Sequence, residues 1–242
     1  MVRVVQRRFW ELDFARGVAV AGMVLFNWLF ALGFFGLIAF DASQGFWWAF
    51  ARLVGGAFVL ISGIAFSLGL GKADFGRKAV ARGLKLFALG LGITVATALF
   101  VGRGAIVFGI LHFLGAAWIL AIAFARRSWA WLLAAGAAVV AAGVLLSGVS
   151  FEFPWLLWLG FVQRGFYSLD FFPLLPWFGV FLLGMALGKK FYGGGAGIIA
   201  ASGPFYAKPL VFLGRHSLFV YLAHQPLLIA LLYAAGFNPL LF

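Results

Sequence analysis

The side chains that could do chemistry in this chain are few and widely spaced. Asn27, Arg52, His112 and His224 interrupt long apolar runs, while Arg16, Lys78, Arg82, Lys85 and Arg215 flank them. A polar group inside an apolar run is costly, so each one is kept for packing or for function. Asn27 follows Arg16 by about three helical turns, so both fall on one face with Val20 and Met23 between them. At about 1.5 Å per residue the amide sits roughly 16 Å deeper than the guanidinium. Arg52 and His112 each lie about 10 Å below the opposite boundary by the same rise, near the depth of Asn27. Lys78, Arg82 and Lys85 fall at i, i+4 and i+7, one basic stripe that, with Arg16, could grip a polyphosphate.

Each candidate also has a packing alternative. Asn27 can hydrogen-bond across a helix seam. Arg52 can reach back toward the surface or pair with Asp41. His112, flanked by Gly109 and Gly115, can bond a backbone carbonyl where helices approach closely. His224 precedes Pro226, which frees a carbonyl on the turn before it. The basic stripe can serve membrane topology and anionic lipid. No carboxylate falls deep in a helix: Glu11 and Asp13 open the first, and Asp41, Asp74, Glu152 and Asp170 lie in connections. That argues against a proton-coupled pump. Three scattered histidines offer no metal cluster, and with no cysteine there is neither a thiolate site nor a disulfide framework.

The elements that position these groups are membrane helices. Of 242 residues, 65% are hydrophobic and only 10% charged, with a mean hydropathy of +1.11. That leaves too little polar surface for a soluble domain. A span needs about 20 apolar residues, and seven are expected: Phe14–Phe35, Phe46–Leu70, Leu86–Val101, Ala105–Ala125, Trp129–Leu146, Pro173–Gly188 and Ser217–Gly236. Phe151–Val162, with Pro154 and the aromatics Trp155, Trp158 and Phe161, suits an interfacial or re-entrant piece at the headgroup boundary. Gly193–Gly203 reads as a linker or a short surface helix. The expected fold is therefore an all-α polytopic bundle in one domain spanning 1–242. Of the 18 basic residues, all but Arg52, Arg103 and Arg164 fall on alternate connections. The positive-inside rule then sets the N-terminus in the cytoplasm and the C-terminus outside. The net charge of +12 is spent on this topology, and no nucleic-acid partner is expected.

Glu11-Leu-Asp-Phe-Ala-Arg-Gly-Val-Ala-Val-Ala-Gly-Met-Val-Leu-Phe-Asn27 resembles the opening of the heparan-α-glucosaminide N-acetyltransferase catalytic-domain family, small prokaryotic members included. Phe46-Trp-Trp-Ala-Phe-Ala-Arg52, Ile61-Ser-Gly63, Phe108-Gly-Ile-Leu-His112, Pro176-Trp-Phe-Gly179 and Leu213-Gly-Arg-His-Ser217 extend the similarity in order over most of the chain. The resemblance implies a membrane acyltransferase that takes acetyl-CoA from the cytoplasmic side and acetylates an amino-sugar or hydroxyl acceptor on the other. It implies that Arg16, Lys78, Arg82, Lys85 and Arg215 hold the CoA phosphates and that Asn27 hydrogen-bonds the thioester carbonyl. His112 would then act as general base or form a transient acetyl-imidazole, with Arg52, Asp41 and His224 binding the acceptor. One departure stands out: the animal enzyme uses a histidine in the loop after its first span, and Phe34–Phe46 contains none here. Membrane lipid is the expected environment, and a homo-oligomer is left open. The alternatives are a small-molecule or lipid carrier and a structural membrane subunit, both of which also bury polar groups.

Overall fold

The computed structural model of the chain describes residues 9–102, 104–194, 197–199 and 203–237. Arg3, Arg7, Arg8 and Arg103 lie outside the described residues, as does part of Gly193–Gly203. Among the described residues eight α-helices follow one another: α1 Trp10–Phe34, α2 Gly45–Gly69, α3 Phe75–Phe100, α4 Ile110–Leu120, α5 Trp129–Leu146, α6 Leu174–Tyr192, α7 Lys208–Arg215 and α8 Ser217–Ala234. A 3-10 turn, Ala121–Phe124, prolongs α4. Among the described residues there is no strand, only isolated backbone bridges between Phe108 and Phe171 and between Ser150 and Val162. Six helices, α1, α2, α3, α5, α6 and α8, are long and apolar enough to cross a membrane. The chain is a multi-pass membrane protein.

The helix boundaries follow local chemistry. Glu11 and Asp13 sit in the first turn of α1, where a carboxylate offsets the helix dipole. Ser128 caps α5 by accepting the Trp131 N–H at 3.2 Å. α3 starts at Phe75, well before the expected Leu86, so the basic stripe forms its opening turns. The fourth expected span is shorter than Ala105–Ala125. Gly104 and Phe108 instead give their carbonyls to the N–H groups of Leu169 and Phe172, both at 2.9 Å, and the helix begins only at Ile110. Pro154–Leu159 is a 3-10 helix with Trp155 and Trp158 exposed.

The helices gather into two compact units, and the division falls inside α2. In the unit Val59–Gly194, α4 runs back against α3, with Gly83 against Ile119 and Gly90 against His112. Similarly α6 runs back against α5, with Gly136 against Leu183 and Gly143 against Pro176. The end of α2 runs parallel to α6, Leu60 meeting Gly184 and Ser67 meeting Gly188. Short as it is, α4 therefore reverses the chain direction as a full span would. Phe66, Phe113, Phe181, Leu132, Leu182 and Met185 fill this core with essentially no exposure.

In the unit formed by Met1–Phe58 and Gly195–Phe242, α8 runs parallel to α1, with Leu228 and Leu232 packed on Ala31 beside Trp28 and Phe35. The two-turn α7 runs back along the start of α1, Leu210 meeting Gly17 and Gly214 meeting Asp13. Backbone meets backbone there: a Cβ at Gly17 would overlap the Leu210 carbonyl, and one at Gly214 the Asp13 carbonyl.

Candidate functional site

The unit containing α1, α7 and α8 carries two polar centres on one helix. At the start of α1 the Asp13 carboxylate is shared, with Oδ1 accepting from Arg16 Nη1 and Oδ2 from Arg215 Nε, both at 3.2 Å. One carboxylate between two guanidiniums leaves a net positive charge. Beside this cluster a cavity of about 500 Å³ is lined by Trp10, Gly203, Pro204, Ala207, Lys208, Val211, Phe212 and Arg215. That volume falls within the range of about 300–1,000 Å³ usual for small-molecule sites. Two cations and two aromatic rings around one space suit an anion joined to a flat ring system. The close approach of α7 to α1 at Gly17 and Gly214 is what sets Arg215 against Asp13. Glu11, nearby on α1, has Oε1 buried with no hydrogen-bond partner.

The second centre lies deeper on the same helix. Asn27 Nδ2 donates one hydrogen to the Met23 carbonyl at 3.0 Å, which leaves its other amide hydrogen for a further acceptor. α8 passes at this level: Trp28 Nε1 donates to the His224 carbonyl at 3.2 Å, and Gln225 Nε2 reaches the Asn27 carbonyl at 3.5 Å. His224 is 7% exposed. Its Nδ1 lies 2.6 Å from the Tyr221 carbonyl and 3.2 Å from that of Val220. Carbonyls only accept, so Nδ1 carries the proton and Nε2 a lone pair. That Nε2 is buried with no partner. Pro226 frees the Leu222 carbonyl four residues back, but the carbonyls that His224 meets are those of Tyr221 and Val220.

In the other unit, His112 has the opposite tautomer. Gly109 N–H donates to Nδ1 at 3.2 Å, so the proton sits on Nε2, 3.3 Å from Thr94 Oγ1. The Thr94 hydroxyl gives its own hydrogen to the Ile106 carbonyl at 2.5 Å and so accepts from the ring. The imidazole is 2% exposed, stacked on Phe108 and meeting Phe87 edge-on. It lies flat on Gly90, where a Cβ would stand 2.9 Å from the ring. Asp170 Oδ2 accepts the Ile110 N–H at 2.9 Å, a carboxylate at the start of α4. Thr97 and Ser168 complete the lattice, bonding the Ile106 N–H and the Ala105 carbonyl.

The remaining sequence candidates make local contacts within their own units. Lys78, Arg82 and Lys85 lie exposed along α3, with Arg82 over the Trp118 indole at 4.5 Å and Lys78 Nζ on the Ala73 carbonyl at 3.3 Å. Arg52 lies over Trp48, one turn nearer the start of α2, at 3.8 Å, as an arginine reaching toward the surface would. Asp41 closes its own turn by accepting from the Ser43 N–H at 2.7 Å and the Ser43 hydroxyl at 2.6 Å, which hold its carboxyl below its ordinary pKa. Arg16 and Arg215 thus share Asp13, and Asn27 lies on the turn of α1 that meets α8 at His224 and Gln225. Asn27 and His112 belong to different units.

Sequence reasoning missed Trp10, Lys208 and Phe212 on the cavity wall and Thr94 and Asp170 around His112. Lys208-Pro209 and Gly214 were the available signals for α7, a proline in the first turn and a glycine at a helix contact. Among the described residues no group of three or more potential ligands could hold a metal ion.

No curated protein and no solved structure matches the chain. The family model for heparan-alpha-glucosaminide N-acetyltransferase, catalytic, matches residues 8–226. That span takes in α1, the cavity wall, Asn27, His112 and His224, and the chain belongs to this family of membrane acetyltransferases.

Proposed function

We propose that the protein moves an acetyl group from cytoplasmic acetyl-CoA to an amino-sugar or hydroxyl acceptor on the outer side of the membrane. The observation that carries this is the cavity at the start of α1, where Lys208 and Arg215 face the same space as Trp10 and Phe212. Acetyl-CoA presents phosphates and an adenine joined to a long flexible arm. The two cations would take the phosphates and the two rings the base. Asn27 lies roughly 16 Å further along α1 than Arg16, a distance an extended pantetheine arm covers. Its free amide hydrogen would stabilise the charge that gathers on the thioester oxygen during attack.

Sidedness draws support from chain direction. In one unit, Arg77, Lys78, Arg82, Arg126, Arg127, Lys189 and Lys190 collect at one end, with Lys189 Nζ donating to the carbonyls of Ala125 and Arg127 at 2.7 and 2.6 Å. In the other, Arg16, Lys208 and Arg215 collect at the start of α1. The positive-inside rule assigns such ends to the cytoplasm. Parallel packing of α8 on α1, and of α6 on α2, requires an odd number of crossings between each pair's members, which agrees with seven passes.

The base role expected for His112 requires Nδ1 to give up the Gly109 N–H. We therefore assign His112 the positioning of the 104–109 segment, and leave Asp41 and Arg52 as contacts for the acceptor at the mouth of α2.

Binding tests this directly. Purified full-length protein should bind acetyl-CoA more tightly than its 3′-dephospho analogue. Replacing Lys208 and Arg215 by Ala should weaken acetyl-CoA by about tenfold or more and shrink the gap between the two ligands. Equal affinity of wild type and variant for acetyl-CoA would remove the cavity from the donor site.

A further inference from the structure

The two buried histidines are prepared for opposite tasks. Both ring nitrogens of His112 are engaged, Nδ1 by the Gly109 N–H and Nε2 by Thr94 Oγ1. His224 has only one engaged. Its Nδ1–H is committed to the Tyr221 carbonyl at 2.6 Å, which fixes the tautomer and the ring plane and leaves the Nε2 lone pair buried and unpartnered. A buried polar atom with no partner is costly and is normally satisfied by water, ligand or substrate. The backbone at His224 is held as well, since Trp28 Nε1 on α1 donates to the His224 main-chain carbonyl. The same turn of α1 carries Asn27, with one amide hydrogen still free.

From this arrangement we infer that His224 Nε2 is the general base of the acetyl transfer, acting beside Asn27. The inference rests on the acyltransferase reading and assigns a proton-accepting role to a residue otherwise expected only to bind the acceptor. As the acceptor amine attacks the acetyl carbonyl, an N–C bond forms and one N–H proton passes to His224 Nε2. The carbonyl oxygen takes up negative charge against the Asn27 amide hydrogen. When the tetrahedral centre collapses, the C–S bond breaks and CoA leaves as the thiolate. The imidazolium returns its proton to that sulfur, giving CoA–SH, the acetamide and neutral His224. The Tyr221 carbonyl acts throughout as the group that orients the base, in the manner of the third member of a nucleophile–base–orienter set.

The test uses the full chain in lipid nanodiscs, with acetyl-CoA as donor and glucosamine as acceptor. His224→Asn keeps an amide N–H for the Tyr221 carbonyl but has no basic nitrogen. It should lower kcat by about 100-fold or more, the range of general-base catalysis, with acetyl-CoA affinity within about threefold of wild type. Imidazole should partly restore His224→Ala, which a merely structural role would not produce. A His224→Asn protein that turns over at the wild-type rate overturns the inference while leaving the acyltransferase reading intact. Wild type that neither binds acetyl-CoA nor acetylates glucosamine or any other amine sinks both. If the variants do not fold, the wild type still reports. Diethyl pyrocarbonate attacks free imidazole lone pairs, so mass spectrometry should find carbethoxylation at His224 ahead of His112, and the reverse order would overturn the inference.

Discussion

Thr94→Val removes a single oxygen and isolates what holds His112. Thr94 Oγ1 serves the Ile106 carbonyl at 2.5 Å and the His112 Nε2–H at 3.3 Å, and valine can serve neither. Hydrogen bonds inside membrane proteins average about 0.6 kcal/mol by double-mutant cycles and reach about 1.7. Leaving a buried donor without a partner costs about 1–3 kcal/mol. The His112 ring is 2% exposed, so its orphaned N–H has no water to turn to, whereas the Ile106 carbonyl is only half-buried. A total loss of about 1.5–3 kcal/mol follows from these ranges. The assay is reversible unfolding in mixed detergent micelles for wild type, Thr94→Val, His112→Ala and the double variant. The two single losses should fail to add by about 0.5–1.5 kcal/mol, as expected for groups in direct contact. Acetyl transfer by Thr94→Val should fall with the folded fraction and no further, because the lone pair of His112 stays with Gly109. A Thr94→Val protein within about 0.3 kcal/mol of wild type, or strict additivity with His112→Ala, would refute the tautomer and the positioning role drawn from it.

Two further outcomes follow from the packing and the charge pattern. Gly214→Ala should push α7 off α1, because the new methyl overlaps the Asp13 carbonyl. A loss of about 1–3 kcal/mol is expected for such overpacking, together with loss of acetyl-CoA binding as Arg215 leaves Asp13, measured by thermal unfolding and equilibrium binding. Reporter fusions after Leu70 and Ala125 should read cytoplasmic and a fusion at the C-terminus external. A cytoplasmic C-terminus would break the seven-pass alternation.

The membrane-helix class was legible from composition alone, because apolar runs and their basic flanks obey the bilayer rather than tertiary detail. Helix ends set by tertiary contact were not. The opening of α4 slips from Ala105 to Ile110 because Leu169, Asp170 and Phe172 take over the backbone groups of the preceding residues, and no local pattern announces that pairing. α7 was invisible as a span and too short for periodicity, although its amphipathic two turns build half of the cavity wall. Arg16 and Asn27 were found as one face because helical spacing is a property of the chain. Arg215 and His224, which the fold brings to the same two levels of α1, come from two helices nearly two hundred residues away, so that placement is settled only by folding. His112 and His224 read alike in sequence, each a histidine among apolar residues. Only the hydrogen-bond acceptors and donors around them separate a satisfied ring from one with a lone pair to spare.

The central claim is acetyl transfer across the membrane, and sided proteoliposomes measure it. Protein reconstituted in uniform orientation, with glucosamine sealed on the side opposite the basic helix ends, receives radiolabelled acetyl-CoA only on the basic side. N-acetylglucosamine should accumulate in the sealed compartment in wild type and fall by about 100-fold or more in Asn27→Ala, the cost of losing an oxyanion donor. Label that stays wholly outside, or product that forms only when donor and acceptor share one side, would contradict the account.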